Sequence, residues 1–268
     1  MYKLSCIALL TGLGLMVCPA VFAAPRVWFD QGHAQAFKVE RSGELQLSSL
    51  AGVFSEAGWE VRAGDTPLTS QLLKGTQALV ISGPFKPFVA SEIEAVLNFV
   101  RNGGRLAVML HIGPPLAGLL EPLGVLHSNG AIQEQINLID EDPLNFKAQM
   151  DQPHSLTAGL NSFSLYGSWA LLAEGGQTEV LARSSEQSWI DLNGNRQRDA
   201  ADAQQAFAVV VHGRLGQGAY LVFGDDAIFQ NRFLHGGNLD LARNLASWMM
   251  AGPQGVLAMA HQGDSHER

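Results

Sequence analysis

The sequence predicts an α/β fold: a mostly parallel sheet with helices on both faces and an antiparallel β extension in the second half. Three observations lead to this prediction. The first half alternates strand-like and helix-like segments, its strands are largely apolar throughout, and the second half is less regular. Continuous apolar runs are typical of strands covered on both faces, and a strand–helix–strand succession favours parallel strands with right-handed crossovers.

The first predicted elements are two strands with a helix between them. Residues 27–30 (VWFD) form a short apolar strand, and a helix is predicted over residues 44–57, ending at Gly58. Residues 59–63 (WEVRA) and then 77–84 (QALVISGP) predict the next strands. The helix is predicted from apolar residues spaced i, i+3, i+4, i+7, which are Leu50, Val53, Phe54 and Ala57.

The second predicted helix has the clearer boundaries. Ser91 and Glu94 have the spacing of a capping box, and Asn102 with two glycines ends the helix. Residues 105–110 (RLAVML) then predict another buried strand. The apolar stripe of this helix comprises Ile93, Val96, Leu97 and Val100.

The second half predicts an antiparallel extension of the sheet. Between residues 130 and 188 there are short alternating segments such as FSLYGSWALLA and TEVLARS. Residues 206–226 predict a β-hairpin that turns at residues 216–218 and returns an apolar arm to the central sheet. A final amphipathic helix is predicted over residues 238–250.

The N-terminal 23 residues predict a secretory signal peptide. They carry one positive charge at Lys3, then a short apolar run, then small residues suited to cleavage before Ala24. The run is too short to span a bilayer, so we expect export to the periplasm or beyond without stable membrane insertion. The net charge of −8 argues against nucleic acid and anionic membrane surfaces as partners.

The remaining chain is long enough for one large domain. Residues 24–252 are expected to form it, with 130–215 as an irregular β-rich elaboration and 253–268 as a flexible tail. Cys6 and Cys18 both lie in the predicted signal peptide. The exported chain would therefore contain neither a disulfide nor a thiol nucleophile.

Several motifs resemble a known superfamily. They are FDQGH, LVISGP with the capped helix and NGGRLAVML after it, and GDDAIFQNRFL followed by GGNLDLARNLASWM. Together they resemble the uncharacterised exported bacterial branch of the class I glutamine-amidotransferase-like superfamily, which is related to gliding-motility and intraflagellar-transport type domains. The resemblance covers residues 27–250 and implies a flavodoxin-like sheet.

The resemblance also implies where a catalytic cysteine would stand. In the catalytic members it lies on a tight elbow after the strand that follows the GGR-like turn. Here that strand continues into Leu110, His111, Ile112 and Gly113. Because the cysteine thiolate forms the acyl intermediate of glutamine hydrolysis, glutamine amidotransferase activity is rejected.

Polar residues follow the predicted strands at their carboxyl ends, where open α/β sheets bind ligands. Because these ends share one edge, we expect one ligand-binding rim, with its histidines and aspartates as the catalytic or metal-binding candidates. The rim residues are Asp30, Gln31, His33, Ser82, His111, Asp225 and Asp226.

Ordinary structural roles for the same residues remain open. Asp30 and Asp226 could cap the segments that follow them, and Asp225 could point away from Asp226. His33 and His111 could be satisfied by neighbouring carbonyls. The other histidines are weaker candidates, and ordinary hydrogen bonding is expected for His127, His154 and His212.

The stretch SWIDLNGNRQRDAAD has the ligand spacing of an EF-hand-type calcium loop. Arg196 replaces the usual glycine at position 6, and an aspartate replaces the usual glutamate at position 12. Similar DLNGN loops occur in the same family branch and in dockerin-like calcium repeats, so a weak structural Ca²⁺ site is expected; an acidic turn that satisfies its own backbone is the alternative. The expected ligands are Asp191, Asn193, Asn195, Gln197, Asp199 and Asp202.

Three classes of function remain open from the sequence. The first, which the missing nucleophile favours, is an exported non-catalytic domain that binds a small molecule, a glycan or an envelope protein. The second is a cell-envelope hydrolase that uses the histidine and aspartate residues of the rim. The third is a structural component of an envelope assembly. No organic cofactor is expected.

Overall fold

The computed structural model describes residues 23–251. The predicted flexible tail lies outside the described residues, as does nearly all of the predicted signal peptide. Within residues 23–251, none of the helices is both long and apolar enough to cross a membrane.

Fifteen strands and four α-helices make up the described fold. The helices are α1 (Ser48–Glu56), α2 (Ala90–Arg101), α3 (Ala117–Leu120) and α4 (Gly236–Met250). The strands are β1 (Arg26–Asp30), β2 (Glu60–Gly64), β3 (Ala78–Ser82), β4 (Arg105–Met109), β5 (Val125–Ala131), β6 (Leu138–Ile139), β7 (Asp142–Lys147), β8 (Gln149–Met150), β9 (Ser164–Tyr166), β10 (Trp169–Ala173), β11 (Thr178–Arg183), β12 (Trp189–Ile190), β13 (Ala203–Gln204), β14 (Ala208–Leu215) and β15 (Gly218–Phe223).

The central sheet has a parallel half and an antiparallel half. Its strands run in the order β2-β1-β3-β4-β15-β14-β10-β5, with β11 and β8 added beside β14. Neighbours from β2 to β15 pair in parallel, whereas β14, β10, β5, β11 and β8 pair antiparallel. The prediction of a mostly parallel, flavodoxin-like sheet with an antiparallel extension is confirmed. Strand order reverses between β1 and β3.

Alternation along the parallel strands divides the core into two layers. In β3, Val80 joins the apolar cluster on the α1 and α4 face, whereas Leu79 and Ile81 join the cluster under α2 and α3. Successive side chains of a strand point to opposite faces, so each of these apolar strands supplies both layers. This explains why the predicted buried strands are apolar almost throughout.

The remaining strands form two small sheets. Strands β6, β7 and β9 form one, and β12 pairs with β13 to form the other. The predicted hairpin over residues 206–226 is present as β14 and β15, which are joined through Gly216.

The predicted cap of the second helix is wrong. The helix begins at Ala90, and Glu92 rather than Glu94 accepts a hydrogen bond from the backbone N–H of Val89, at 3.1 Å. Glu94 instead accepts a hydrogen bond from Asn98 one turn later. Sequence spacing selected the Ser91 hydroxyl as a cap, but here the carboxylate alone satisfies the N-terminal backbone donor. The first helix is likewise shorter than predicted and begins at Ser48.

Candidate functional site

The residues of the predicted rim lie at the carboxyl ends of β1, β3, β4 and β15, but they do not form one cluster. They divide into two groups: the first is joined by hydrogen bonds throughout, and the second is centred on the hydrogen-bonded pair of His111 and Asp226. We call Asp30, His33, Gln35 and Glu92 the His33 cluster, and Ser82, His111, Asp225 and Asp226 the His111 site. Gln31 belongs to neither group, because its side chain binds Glu40 and the backbone of Val39.

The His33 cluster is buried, and each of its members is hydrogen-bonded to another member. The Nδ1 atom of His33 lies 2.7 Å from the Asp30 carboxylate, and its Nε2 atom lies 3.2 Å from Glu92. Gln35 donates to the same Asp30 oxygen and accepts from the backbone N–H of His33. The His33 ring stacks on Phe88 at 3.6 Å, and the residue is only 5% exposed. These contacts tie the loop after β1 to the start of α2.

His33 and Glu92 stabilise each other's charged forms. Burial lowers the pKa of His33, but hydrogen bonds and charges from Asp30 and Glu92 outweigh this and raise it above its ordinary value. Burial raises the pKa of Glu92, yet the N–H groups of Val89 and Leu68, with His33, bring it below its ordinary value. Both ring nitrogens of His33 are thus used within the protein, which leaves little for a ligand to contact.

Two members of the cluster were missed by the sequence analysis. Gln35 follows the predicted rim residues by a few positions, and no spacing rule connects it to Asp30. Glu92 carried a signal, since it stands three residues after Val89, but the choice of Ser91 as the cap concealed it.

The His111 site contains an imidazole that is held by a buried carboxylate and is partly exposed to solvent. The Nδ1 atom of His111 lies 3.0 Å from Asp226, whose side chain is 1% exposed, whereas the His111 side chain is 38% exposed. The hydrogen bond with Asp226 is the main cause that raises the pKa of His111, and burial opposes it. Asp226 therefore fixes the ring and leaves its Nε2 atom directed away from the carboxylate.

The two neighbouring aspartates have different roles. Asp225 accepts hydrogen bonds from the backbone N–H groups of Tyr166, at 2.5 Å, and Ala227, at 2.8 Å. It therefore joins β9 to the turn after β15, as the structural alternative proposed. Burial raises the pKa of Asp225 to about 8 and raises that of Asp226. The two carboxyls do not act as a pair on one group.

Two buried polar atoms of the His111 site have no partner among the described residues. They are the Oδ2 atom of Asp226 and the hydroxyl of Ser82. Unpaired buried polar atoms are costly and uncommon in native proteins. Buried water is a common partner of such atoms in native proteins.

Gly83 makes room for this arrangement. It has a φ of +56°, and a Cβ added there would lie 2.2 Å from the Oδ2 atom of Asp226. Glycine is therefore required both by the left-handed backbone and by the close approach of the carboxylate.

Two phenylalanine rings lie beside the partly exposed imidazole of His111. The ring centroids of Phe37 and Phe85 lie 5.3 Å and 5.0 Å from that of His111. The indole N–H of Trp169 donates to the backbone carbonyl of His111 at 3.1 Å. Phe85 is 40% exposed, so it presents an apolar surface beside the imidazole. The sequence analysis missed both phenylalanines because they lie in loops without periodicity.

The expected calcium loop is exposed, and its aspartate side chains accept hydrogen bonds from other groups of the same loop. Both carboxylate oxygens of Asp191 accept backbone N–H groups, from Gly194 and Arg196, each at 2.7 Å. Asp199 accepts from the side-chain amides of two loop asparagines, and Asp202 accepts from the backbone of Leu192. Arg196 adopts a φ of +61°, the conformation in which calcium loops usually place glycine. The calcium site stays a prediction.

The fold and the site define a protein of amidotransferase-like architecture whose sheet edge presents a histidine–aspartate pair. The chain belongs to the DUF4350 family, a domain of unknown function whose family model matches residues 41–246. None of the curated proteins compared with the chain matches it in sequence.

Solved structures share this fold at low sequence identity. The mmIFT52 N-terminal domain is 16% identical and has a TM-score of 0.68, with 85% of this chain and 98% of that chain covered. A ThuA-like protein from Bacteroides uniformis is 15% identical, with a TM-score of 0.56 and coverage of 88% and 98%. A cytoplasmic protein from Salmonella typhimurium LT2 is also 15% identical, with a TM-score of 0.57 and coverage of 84% and 99%. These likenesses show the fold alone.

Proposed function

We propose that this protein is an exported, non-catalytic binding domain whose ligand contacts the His111 site. One observation carries the proposal: a partly exposed imidazole is held by a buried aspartate and has two aromatic rings beside it. The His33 cluster has no comparable opening, so its role is to hold the loop after β1.

The chemistry of the site favours a ligand with both hydroxyl groups and an apolar face, such as a sugar unit of an envelope glycan. The rings of Phe37 and Phe85 can pack against an apolar face, while the Nε2 atom of His111 exchanges a hydrogen bond with a hydroxyl. Binding pockets commonly combine apolar walls with a few placed polar groups in this way.

Calorimetric titration with soluble peptidoglycan fragments tests the proposal. Phe85→Ala and His111→Gln should each weaken binding by about tenfold or more, the effect of losing roughly 1.4 kcal/mol of contact. Phe99→Ala is the matched control, because it removes another partly buried phenylalanine, on α2 beside Gly104. Equal affinity in all variants would place the ligand elsewhere, and absence of binding to any fragment would reject this ligand class.

A hydrolase is the second candidate, and the His111–Asp226 pair is the observation that favours it. An imidazole held at Nδ1 by a carboxylate can act as a general base toward water at Nε2. Release of reducing ends from the same fragments would support this function if His111→Gln abolished the release. Activity that survived in this variant would assign the reaction to another site.

Export itself is tested by fractionation and N-terminal sequencing. A periplasmic or secreted form that begins at or within two residues of Ala24 is expected from the signal-peptide pattern. Recovery of the full-length chain in the cytoplasm would contradict this part of the proposal.

A further inference from the structure

A second cluster of ligand-type side chains lies far from the His111 site. It consists of His154, Glu179 and His212, and we call it the His212 cluster. Glu179 on β11 and His212 on β14 are direct cross-strand partners, and His154 precedes the short helical turn at residues 155–157. The cluster lines a cleft together with Arg105, which begins β4, whereas His111 follows the end of that strand.

The geometry of the cluster fits a metal ion. One ligand atom from each of the three side chains can be chosen so that all lie within 4.8 Å of one another. The Nδ1 atom of His212 lies 2.5 Å from a carboxylate oxygen of Glu179, so a metal ion bound by both side chains would replace the proton that they share.

The third side chain faces the same space. The rings of His154 and His212 lie 4.8 Å apart. The backbone N–H of Leu156 donates to the Nδ1 atom of His154 at 3.0 Å, so metal binding through Nε2 would move the ring proton to Nδ1 and break this hydrogen bond. Both histidine side chains are partly buried beside the cleft, and each can present one ligand atom to the same space.

The surroundings of the cluster suggest an open coordination position. The cleft has a volume of about 560 Å³ and is also lined by Trp248 and Arg214. Arg105 lies over the Trp248 ring at 4.8 Å and donates to the carbonyl of Ala251. The two guanidinium groups oppose a bare dication, but they favour an anion on the metal in the open position.

We propose that His154, Glu179 and His212 bind a divalent transition metal of the Zn²⁺ class, with one coordination position open to the cleft. Two imidazoles and a carboxylate suit Zn²⁺ or Co²⁺ better than Ca²⁺, which prefers oxygen ligands. Three protein ligands with an open position are typical of zinc sites that also bind a small anion or water. This site is separate from the proposed function and does not depend on it.

Titration of the untagged chain from Ala24 to Arg268 with Co²⁺ and Zn²⁺ tests the proposal, because this form lacks Cys6 and Cys18. All variants carry His261→Gln and His266→Gln, so that the histidines of the C-terminal segment do not contribute ligands. We expect one Co²⁺ per chain with the visible absorption of four- or five-coordinate cobalt. His154→Gln, His212→Ala and Glu179→Gln should each weaken binding at least about tenfold.

His235→Ala is the matched control, because it removes an exposed histidine outside the cluster. Thermal melts in EDTA establish that each variant is folded, and Glu179→Gln preserves side-chain size if His212→Ala does not fold. Unchanged binding in the folded cluster variants would overturn the proposal. Stabilisation by phosphate without saturable metal binding would overturn it too, and would assign the cleft to anions.

Discussion

At the scale of single residues, Gly83 is the position where the His111 site tolerates least change. Gly83→Ala should destabilise the protein by about 3 kcal/mol, because the added methyl group meets the Asp226 carboxylate and the left-handed backbone is strained. Denaturant unfolding measures the loss. Gly236→Ala is the control, since Gly236 has a similar φ of +51° but no atom near the added Cβ. Equal losses in both variants would contradict the crowding argument.

The raised pKa of His33 should make the free energy of unfolding depend on pH. Its raised pKa means that its stabilising contribution is complete below the ordinary value of 6.5 and is lost as pH rises through the higher folded value. The lowered pKa of Glu92 means that its contribution is present above 4.5 and is lost as pH falls through the folded value.

The wild type should therefore exceed His33→Gln in free energy of unfolding by the largest margin between pH 4.5 and 6.5. There the difference should be about 2 kcal/mol, the loss of buried charge-assisted hydrogen bonds. Urea unfolding of both proteins across pH measures it. A margin that grows above pH 7 would contradict the role given to this histidine.

Sequence alone identified most chemistry-bearing residues of the rim but not their grouping. Asp30, His33, His111 and Asp226 were found because parallel strands place their carboxyl ends at one edge. Two further facts depend on tertiary packing and could not be predicted from spacing. His33 joins Asp30 to Glu92 at the start of α2, and Phe85 contacts His111 from a loop.

At the scale of elements, the 191–202 loop gives a testable expectation. Millimolar Ca²⁺ should raise the melting temperature by about 3 °C, the effect of roughly 1.4 kcal/mol at tenfold excess over Kd. Calcium must replace the hydrogen bonds that Asp191 makes to the loop backbone, which is why only weak binding is expected.

Asp191→Asn should abolish the calcium shift, while Glu186→Gln, which changes an exposed carboxylate just before the loop, should keep it. Mg²⁺ should not substitute, because it demands smaller and more regular coordination. If neither calcium nor Asp191→Asn changes the melt, the loop is a self-satisfied acidic turn.

The elements of the first half followed their sequence patterns more closely than those of the second. Strands β3 and β4 are buried and almost entirely apolar, and helix α2 has apolar residues at helical spacing on one face. The existence of these elements was therefore predictable. The joining of β10, β5 and β11 to β14 depends on long-range pairing with bulges, which no local pattern specifies. The predicted cap of α2 was wrong because the carboxylate of Glu92, and not the hydroxyl of Ser91, accepts the backbone hydrogen bond at the start of the helix.

At the scale of the whole molecule, the sheet carries polar sites at opposite ends of β4. The His111 site lies beyond its carboxyl end and the His212 cluster lies near its amino end, across the antiparallel extension. The parallel half carries the rim residues that the sequence pattern predicted. The antiparallel extension carries the His212 cluster, whose members are widely separated in sequence. Strand pairing joins Glu179 to His212, and His154 approaches them from the segment before residues 155–157.

The central claim is that His111, and not His33, contacts the ligand of this domain. Long-range ¹⁵N correlation spectra of the histidine rings, recorded during titration with soluble peptidoglycan fragments, test it most directly. We expect a saturable shift of the Nε2 signal of His111, with no shift at His33 and loss of the response in Phe85→Ala. A saturable shift at His33 with His111 unmoved would contradict the assignment of the ligand site to His111.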